Sequence, residues 1–380
     1  MSEYQYYEFQ AIDRPLDSAA LEALRSISSR ARITAASFVN HYEWGDFKGE
    51  PRELMEQWFD LHLYFTNWGT RRLMMRLPGH LVDRKALAPF LCDVDWIEAW
   101  SSGGNLIVDL FWEEGEPDDE WDDGSGWLAA LAPLRTDVIG GDLRLFYLVW
   151  LMAVQEDLVP DEATEPLPGI GPLTGALEAL SDFFAIDADL VRAAAESGTG
   201  DAAPSEEELQ DALAAITEEE KAALLRRVLE GDGHVAGELK RMIRRQCPAP
   251  SLPQRTAGAL RARARETAEA RERANAEKRE AERRRRAKQA EKERRARLQA
   301  LKLRGAAAWR EVDAEIARRN AASYDRAASL LCDLQVLAAE GGSQADFDRR
   351  LAAIRTRHQA KKRFIERLAK LDRGRDGTAA

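Results

Sequence analysis

Alternating hydrophobic and polar positions predict β-strands in the first 112 residues. Six runs show this alternation, and they cover residues 4–12, 33–42, 61–65, 72–77, 96–100 and 106–112. The last two runs flank the turn Ser102-Gly103-Gly104-Asn105, and central glycines between alternating runs are typical of a tight β-hairpin. This part of the chain is therefore predicted to contain a sheet.

A helical period appears beside and after these runs. Asp17 and Pro51 each suit the start of a helix. Further on, apolar positions recur with the helical period over 128–134 and 143–154. Residues 1–160, which hold nine of the ten tryptophans, are therefore predicted to form a tryptophan-rich α+β domain with its own core.

Short amphipathic helices are predicted after a loop rich in proline, glycine and acidic residues at 160–172. The five helices cover 173–185, 188–196, 205–216, 218–230 and 233–246. Thr217 and Glu220 have the spacing of a capping box, which satisfies two backbone donors at a helix start. Together the helices predict an acidic helical module over 173–247, ended by a proline-rich segment.

Residues 254–304 are predicted to form a long basic charged helix. No apolar side chain larger than alanine occurs between Leu260 and Leu298, so a coiled-coil seam is absent. Glutamate and arginine at i,i+4 favour a helix by roughly 0.2–0.5 kcal/mol per pair. The pairs are Glu269–Arg273, Glu280–Arg284, Glu282–Arg286, Glu291–Arg295 and Glu293–Arg297. We expect a solvated single helix, and its stretch between Leu260 and Leu298 is about 60 Å long at 1.5 Å per residue.

Apolar positions at helical spacing return after Gly305 and predict a C-terminal helical hairpin over 306–372. Its turn is expected at Gly341-Gly342-Ser343, where two glycines stop one helix and a serine caps the next. The apolar seam is a candidate interface with a partner or with a second copy of the chain. Its candidate residues are Ile316, Leu331, Leu334, Leu351, Ile354 and Leu368.

The predicted fold class is thus an α+β N-terminal domain followed by an all-α helical module, a long charged single helix and a helical hairpin. The charge of the chain also differs between its N-terminal and C-terminal parts. The chain carries a net charge of −11, but residues 1–250 carry −26 and residues 251–380 carry +15. Such asymmetry points to electrostatic partners or to contact between the two halves.

Cysteine usage and the chain start bear on the compartment. Three widely separated cysteines rule out a disulfide framework and fit a reducing compartment. The first residues lack the basic and apolar regions of a secretory signal, and the apolar run 143–154 is too short to span a bilayer. We therefore expect a cytoplasmic protein that does not enter the membrane.

Two segments resemble known bacterial proteins. The hairpin residues Tyr324-Asp325-Arg326-Ala327, Phe347, Arg350-Leu351, Ile354 and Phe364-Ile365-Glu366-Arg367-Leu368 resemble the helical tail of bacterial SWIM zinc-finger proteins. The zinc motif of that family has no counterpart in this chain, so the resemblance implies a helical interaction module and no metal. The start of the chain resembles an uncharacterised bacterial family that opens with a YEFQAIDRPL-type segment, which implies no activity.

Sequence motifs for catalysis are weak. The chain has no nucleophile elbow, no phosphate-binding glycine loop and no pair of histidines at i,i+4. His41 and His62 fall in predicted strands near tryptophans, and an enzyme would need a pocket built from them. We therefore predict a non-catalytic protein that uses no cofactor and no metal.

Two charged segments are the candidates for binding. The acidic loop 113–123 holds eight acidic residues, which suit a basic partner or a solvated loop. The basic helix offers cations for phosphates, with a solvated spacer as the alternative. Its candidate anion or nucleic-acid contacts are Arg283, Arg284, Arg285, Arg286, Arg294 and Arg295.

These features support two functional hypotheses. The first is a binding or scaffold protein that uses the acidic globular domain and the hairpin for protein–protein interaction. The alternative is a nucleic-acid-associated protein that uses the basic helix, which the acidic loop would mask until a competitor displaces it.

Overall fold

A computed structural model describes residues 3–92, 94–113, 122–198, 205–246 and 252–368. The chain divides into two compact units, Met1–Arg271 and Glu272–Ala380. The first contains a β-sheet covered by helices, and the second is helical in its described part. The predicted fold class is confirmed.

The sheet of the first unit is antiparallel and has the strand order β2-β3-β1-β4-β5-β7-β6. Its strands are β1 Gln5–Gln10, β2 Arg32–Thr34, β3 Ser37–Tyr42, β4 Leu61–Thr66, β5 Arg71–Pro78, β6 Ile97–Ser102 and β7 Asn105–Trp112. The β6–β7 hairpin agrees with the sequence prediction. Gly103 and Gly104 form its turn with φ angles of 56° and 82°, a backbone conformation that glycine adopts without a steric penalty.

The run 33–42, predicted as one strand, is instead a hairpin. The chain turns at Ala35 and Ala36 between β2 and β3. Thr34 Oγ1 lies 2.7 Å from Ser37 Oγ and accepts a hydrogen bond from Ala36 N at 3.2 Å. Side chains of threonine and serine that bond locally in this way favour turns over a continuous strand, so the prediction of a single strand was wrong.

Each face of the sheet is covered by its own helices. One face packs against the helices at 18–27 and 51–57 through Phe9, Leu24 and Met55. The other face packs mainly against the helices between 127 and 195, and every residue from Arg144 to Val154 is buried. The helices of this part are α1 Ser18–Ile27, α2 Pro51–Gln57, α3 Arg84–Leu87, α4 Trp127–Leu131, α5 Pro133–Ile139 and α6 Arg144–Gln155.

The five helices predicted after the loop are all present. They are α7 Gly175–Phe183, α8 Ala188–Ala195, α9 Glu206–Ala215, α10 Glu218–Leu229 and α11 Val235–Gln246. The Thr217 capping box is formed, with the Glu220 carboxylate accepting from the Thr217 backbone. Helices α7 and α8 share one hydrophobic core with the sheet and α6.

A buried ion network connects strands and helices of the first unit. Asp60 is fully buried. Its carboxylate accepts hydrogen bonds from Arg76 Nε at 3.0 Å and from Arg76 Nη2 at 2.7 Å. It also accepts hydrogen bonds from the backbone N–H groups of Ile12 and Asp13. Arg135 pairs with Asp13 and lies 3.6 Å from Asp60. Burial alone would raise the pKa of Asp13, but hydrogen bonds from His234 and Arg135 outweigh it and lower that pKa.

The second unit contains the C-terminal helices. They are α13 Ala306–Ala317, α14 Ala321–Glu340 and α15 Gln344–Arg357, and residues 362–368 are also helical. The turn predicted at Gly341-Gly342-Ser343 separates α14 from α15. The first arm of the hairpin is not one helix, because Arg319 has a positive φ of 56° and Asn320 caps the new helix at Ser323 N.

No helix in the described ranges is both long and apolar enough to cross a membrane.

Candidate functional site

The basic helix is α12, Ala257–Arg304, and its start is held by a buried cluster of polar groups. Glu165 is buried and accepts hydrogen bonds from Tyr147 Oη and from the backbone N, Nε and Nη2 of Arg255. Thr164 and Thr256 form an isolated β-bridge beside it. Burial and the neighbouring Glu165 raise the pKa of Tyr147, which keeps its hydroxyl protonated as a donor.

The first turns of α12 add further contacts within the first unit. Ala257, Leu260 and Ala264 are buried in the main core. Arg261 donates to the backbone oxygens of Val154 and Val159 and so satisfies carbonyls near the end of α6.

Between residues 269 and 297 every position of α12 is exposed. Burial resumes at Leu298 and Leu301. An exposed helix without apolar contacts depends on its own propensity and side-chain pairs, and alanine, arginine, lysine and glutamate are strong helix formers. The predicted solvated helix is therefore observed over this stretch.

Three of the predicted i,i+4 pairs are formed as expected, and they are Glu280–Arg284, Glu282–Arg286 and Glu291–Arg295. Arg297 pairs instead with Asp333 at 2.9 Å, and both residues lie in the second unit. Three of the six candidate anion-binding arginines thus already have a carboxylate partner.

The six candidate arginines do not form one surface. Successive residues of an α-helix are rotated by about 100° around its axis. This rotation places Arg283 and Arg294 on one face and Arg284 and Arg295 on a second. Arg285 and Arg286 lie on two further faces. Among the described residues, none forms an ion pair with Arg283, Arg285 or Arg294. The candidate list therefore contains three cations that remain open to an external anion.

Four cations do share one face of α12, and they are Lys278, Arg285, Lys288 and Lys292. Spacings of seven, three and four residues place these side chains along one face of α12, over about 21 Å of helix axis. None of them pairs with a carboxylate in the part of the chain that the structure describes. We call this surface the basic stripe. Of these four residues only Arg285 was among the predicted anion contacts. The prediction missed Lys278, Lys288 and Lys292, although their spacing from Arg285 is visible in the sequence.

The candidate residues of the hairpin interface are buried. Its six residues are buried in the core of the second unit and pack there with Val312, Phe347 and Phe364. Ile316 and Leu331 have no exposed surface at all. In this fold the apolar seam holds α13, α14 and α15 together, so it offers little surface to a partner chain.

The two candidate histidines lie on opposite faces of the sheet. In the register with β1, His41 is opposite Tyr6 and His62 is opposite Phe9. Side chains alternate along a strand, so Tyr6 and Phe9, which are three residues apart, point to opposite faces. They therefore share no pocket. His62 is fully buried, stacks on Phe9 with ring centroids 3.9 Å apart, and has Nδ1 3.0 Å from Glu8 O.

The His62 ring predicts a specific pH dependence of stability. Burial and the nearby Arg72 charge hold the pKa of His62 well below its ordinary value. The unfolded chain therefore takes up a proton below about pH 6.5 that the folded chain refuses, and the free energy of unfolding falls as pH drops, by up to about 1.4 kcal/mol per pH unit. We expect urea unfolding of the variant His62→Phe to show a shallower acid-side loss between pH 6.5 and 5. Parallel profiles for the variant and the original protein would contradict this assignment.

No cluster of three or more histidine, cysteine, aspartate or glutamate side chains able to hold a metal ion occurs among the described residues. Most of the acidic loop 113–123, residues 114–121, lies outside the described residues. In comparisons with known proteins, no family model, no curated protein and no solved structure matches the chain.

Proposed function

We propose that this protein acts by binding, without catalysis, and that it binds double-stranded nucleic acid through the exposed part of α12. The observation that carries this proposal is the unbroken exposure of 269–297 together with the basic stripe along one of its faces. Residues 283–297 alone hold nine basic and two acidic residues. A surface of this charge releases counterions from a phosphate backbone when it binds.

The alternative hypothesis, association through the C-terminal hairpin, has less support. Its candidate residues are buried within one chain, so association through them requires the second unit to open. The cations of the basic stripe are already exposed and need no rearrangement. For this reason we rank nucleic-acid binding above a hairpin-mediated scaffold.

The composition of the helix limits how it can recognise nucleic acid. Residues 261–304 contain no aromatic side chain, so bases of a single strand have nothing to stack on. Contacts from lysine and arginine to phosphates position a protein on a duplex but read no sequence. We therefore propose a duplex ligand and binding that is independent of base sequence.

The basic stripe can be tested by two matched triple variants. The change Arg285→Gln, Lys288→Gln and Lys292→Gln removes three cations without carboxylate partners, and we expect a loss of duplex affinity of about tenfold or more. The control Arg284→Gln, Arg286→Gln and Arg295→Gln removes the same charge from arginines that already pair with glutamates, and we expect a smaller loss. Fluorescence anisotropy with a mixed-sequence 20-base-pair DNA duplex at 50 mM salt measures both.

Circular dichroism serves as the control for folding, because glutamine is a good helix former and helicity should be retained in both variants. Equal losses in the two variants would show that net charge alone matters and would remove the basic stripe from the proposal. Absence of binding by the original protein would refute the proposed function itself.

A further inference from the structure

We propose that strand β6 accepts an extended acidic peptide as an eighth strand of the sheet. This inference goes beyond the proposed nucleic-acid binding and rests on different residues, all of them in the first unit. It assigns to this unit a protein partner with a defined conformation and charge.

The outer edge of β6 has unpaired backbone groups. Among the described residues, β6 is the last strand of the sheet and pairs with β7 alone. Phe111 N donates to Trp96 O, so the backbone N–H and C=O groups of Trp96 face β7. In an antiparallel ladder these groups face the neighbouring strand at every second residue. The N–H and C=O groups of Ile97, Ala99 and Ser101 therefore face away from β7. No described residue forms a hydrogen bond with these outward N–H and C=O groups. They are therefore available to another strand.

This edge lacks most of the features that usually prevent strand addition, and its one charged side chain, Glu98, is paired with Arg52. Sheet edges are commonly protected by very short strands, proline, lysine or bulges. The opposite edge strand, β2, has only three residues, whereas β6 has six and contains neither proline nor lysine. An edge of this length is suited to pairing with a peptide.

A groove of about 700 Å³ runs along this edge, and we call it the edge groove. On the α2 side, the Arg52 guanidinium lies 4.0 Å from the Trp100 ring centroid and pairs with Glu98 at 2.7 Å. Trp100 Nε1 donates to Glu56 at 2.7 Å. These contacts hold one wall of the edge groove in a defined arrangement.

The other wall supplies free positive charge. Arg84 and Lys85 of α3 are exposed and form no ion pair with any described residue. The neighbouring Asp83 carboxylate accepts a hydrogen bond from the backbone N–H of Lys85, so it caps the N-terminus of α3. Leu91 and Val94 add an apolar floor. In a region of net charge −26, this local cation pair favours a partner that carries carboxylates.

Charge also argues against a second copy of the chain as the occupant. In a symmetric pairing of two β6 edges, each copy presents the same cations to the other. Like charges brought together in this way oppose association. A peptide with a carboxylate at every second residue instead directs these carboxylates to one face, where Arg84 and Lys85 lie, because side chains alternate along a strand.

The experiment uses the full-length protein and a fluorescein-labelled ten-residue peptide of alternating glutamate and threonine. We expect saturable binding by anisotropy and at least tenfold weaker binding by the variant Arg84→Glu with Lys85→Glu. A lysine–threonine peptide of the same length can be attracted by the acidic loop, but it should not protect the β6 amides from hydrogen exchange. The variant Ala99→Pro removes the central outward N–H and is expected to lower the affinity by a similar factor.

Hydrogen exchange on the original protein tests the strand pairing even if Ala99→Pro fails to fold. The amides of Ala99 and Ser101 should gain protection when the peptide is bound. The acidic peptide can also be attracted by the basic stripe, so the same titration is made with the variant Arg285→Gln, Lys288→Gln and Lys292→Gln, where peptide affinity should be unchanged.

Three results would overturn the inference. They are absence of binding by the acidic peptide, binding without protection of the β6 amides, and binding that is lost in the stripe variant. Because the proposed function is measured with DNA and with substitutions in α12, failure of either proposal leaves the other standing.

Discussion

Replacing Leu331 by alanine is expected to lower the free energy of unfolding of the second unit by about 2–5 kcal/mol. Leu331 is completely buried among Ile316, Ile354 and Phe364, so truncation leaves a cavity in a small core. Hydrogen exchange detected by mass spectrometry gives the measurement, because peptides of α13 to α15 report on this unit alone.

Leu303 provides the matched control, because it has the same side chain in a helix but is 90 % exposed. Leu303→Ala should change the free energy of unfolding by less than about 0.5 kcal/mol. Equal effects at the two positions, or a Leu331→Ala protein that keeps its stability and loses only self-association, would show that the seam is an interface and not a core.

Replacing Asp60 by alanine is expected to destabilise the first unit by about 3–5 kcal/mol. The change leaves Arg76 buried without its carboxylate partner, and Arg135 loses a nearby negative charge. A buried charge without a partner of opposite sign is costly. Urea unfolding followed by tryptophan fluorescence reports on this unit, because nine of the ten tryptophans lie in it.

The control for this prediction is Asp161→Ala. Asp161 also pairs with an arginine, Arg261 at 2.5 Å, but its side chain is 69 % exposed. Exposed pairs contribute about 0–1 kcal/mol, so the control should be nearly as stable as the original protein. If Asp60→Ala behaves like the control, the buried network does not stabilise the sheet.

Local signals in the sequence predicted most elements. Two glycines at 103–104 located the β6–β7 hairpin, Thr217 and Glu220 located a helix start, and the apolar run 143–154 located the buried helix α6. These signals act through neighbours in the chain, which is why they can be read without knowing the fold. The turn between β2 and β3 was not predicted because alanines occupy it and because Thr34, which supports it, is a residue type enriched in strands.

Features that depend on contacts between distant parts of the chain could not be predicted. Periodicity showed that Leu331 faces an apolar surface but not whether that surface belongs to the same chain. His41 and His62 looked like neighbours, yet the register with β1 places them on opposite faces. The open edge of β6 exists only because β5 pairs with β7, a long-range choice that no local pattern encodes.

The central claim is that the basic stripe binds duplex phosphates, and a salt titration tests it most directly. Affinity of the full-length protein for a 20-base-pair DNA duplex is measured by anisotropy between 50 and 200 mM salt. Four phosphate contacts predict a slope of log affinity against log salt of about −3.6. The triple variant of the basic stripe keeps only Lys278 of the four cations, and its slope should fall to about −1. A slope near zero for the original protein, or the same slope for both proteins, would contradict the claim.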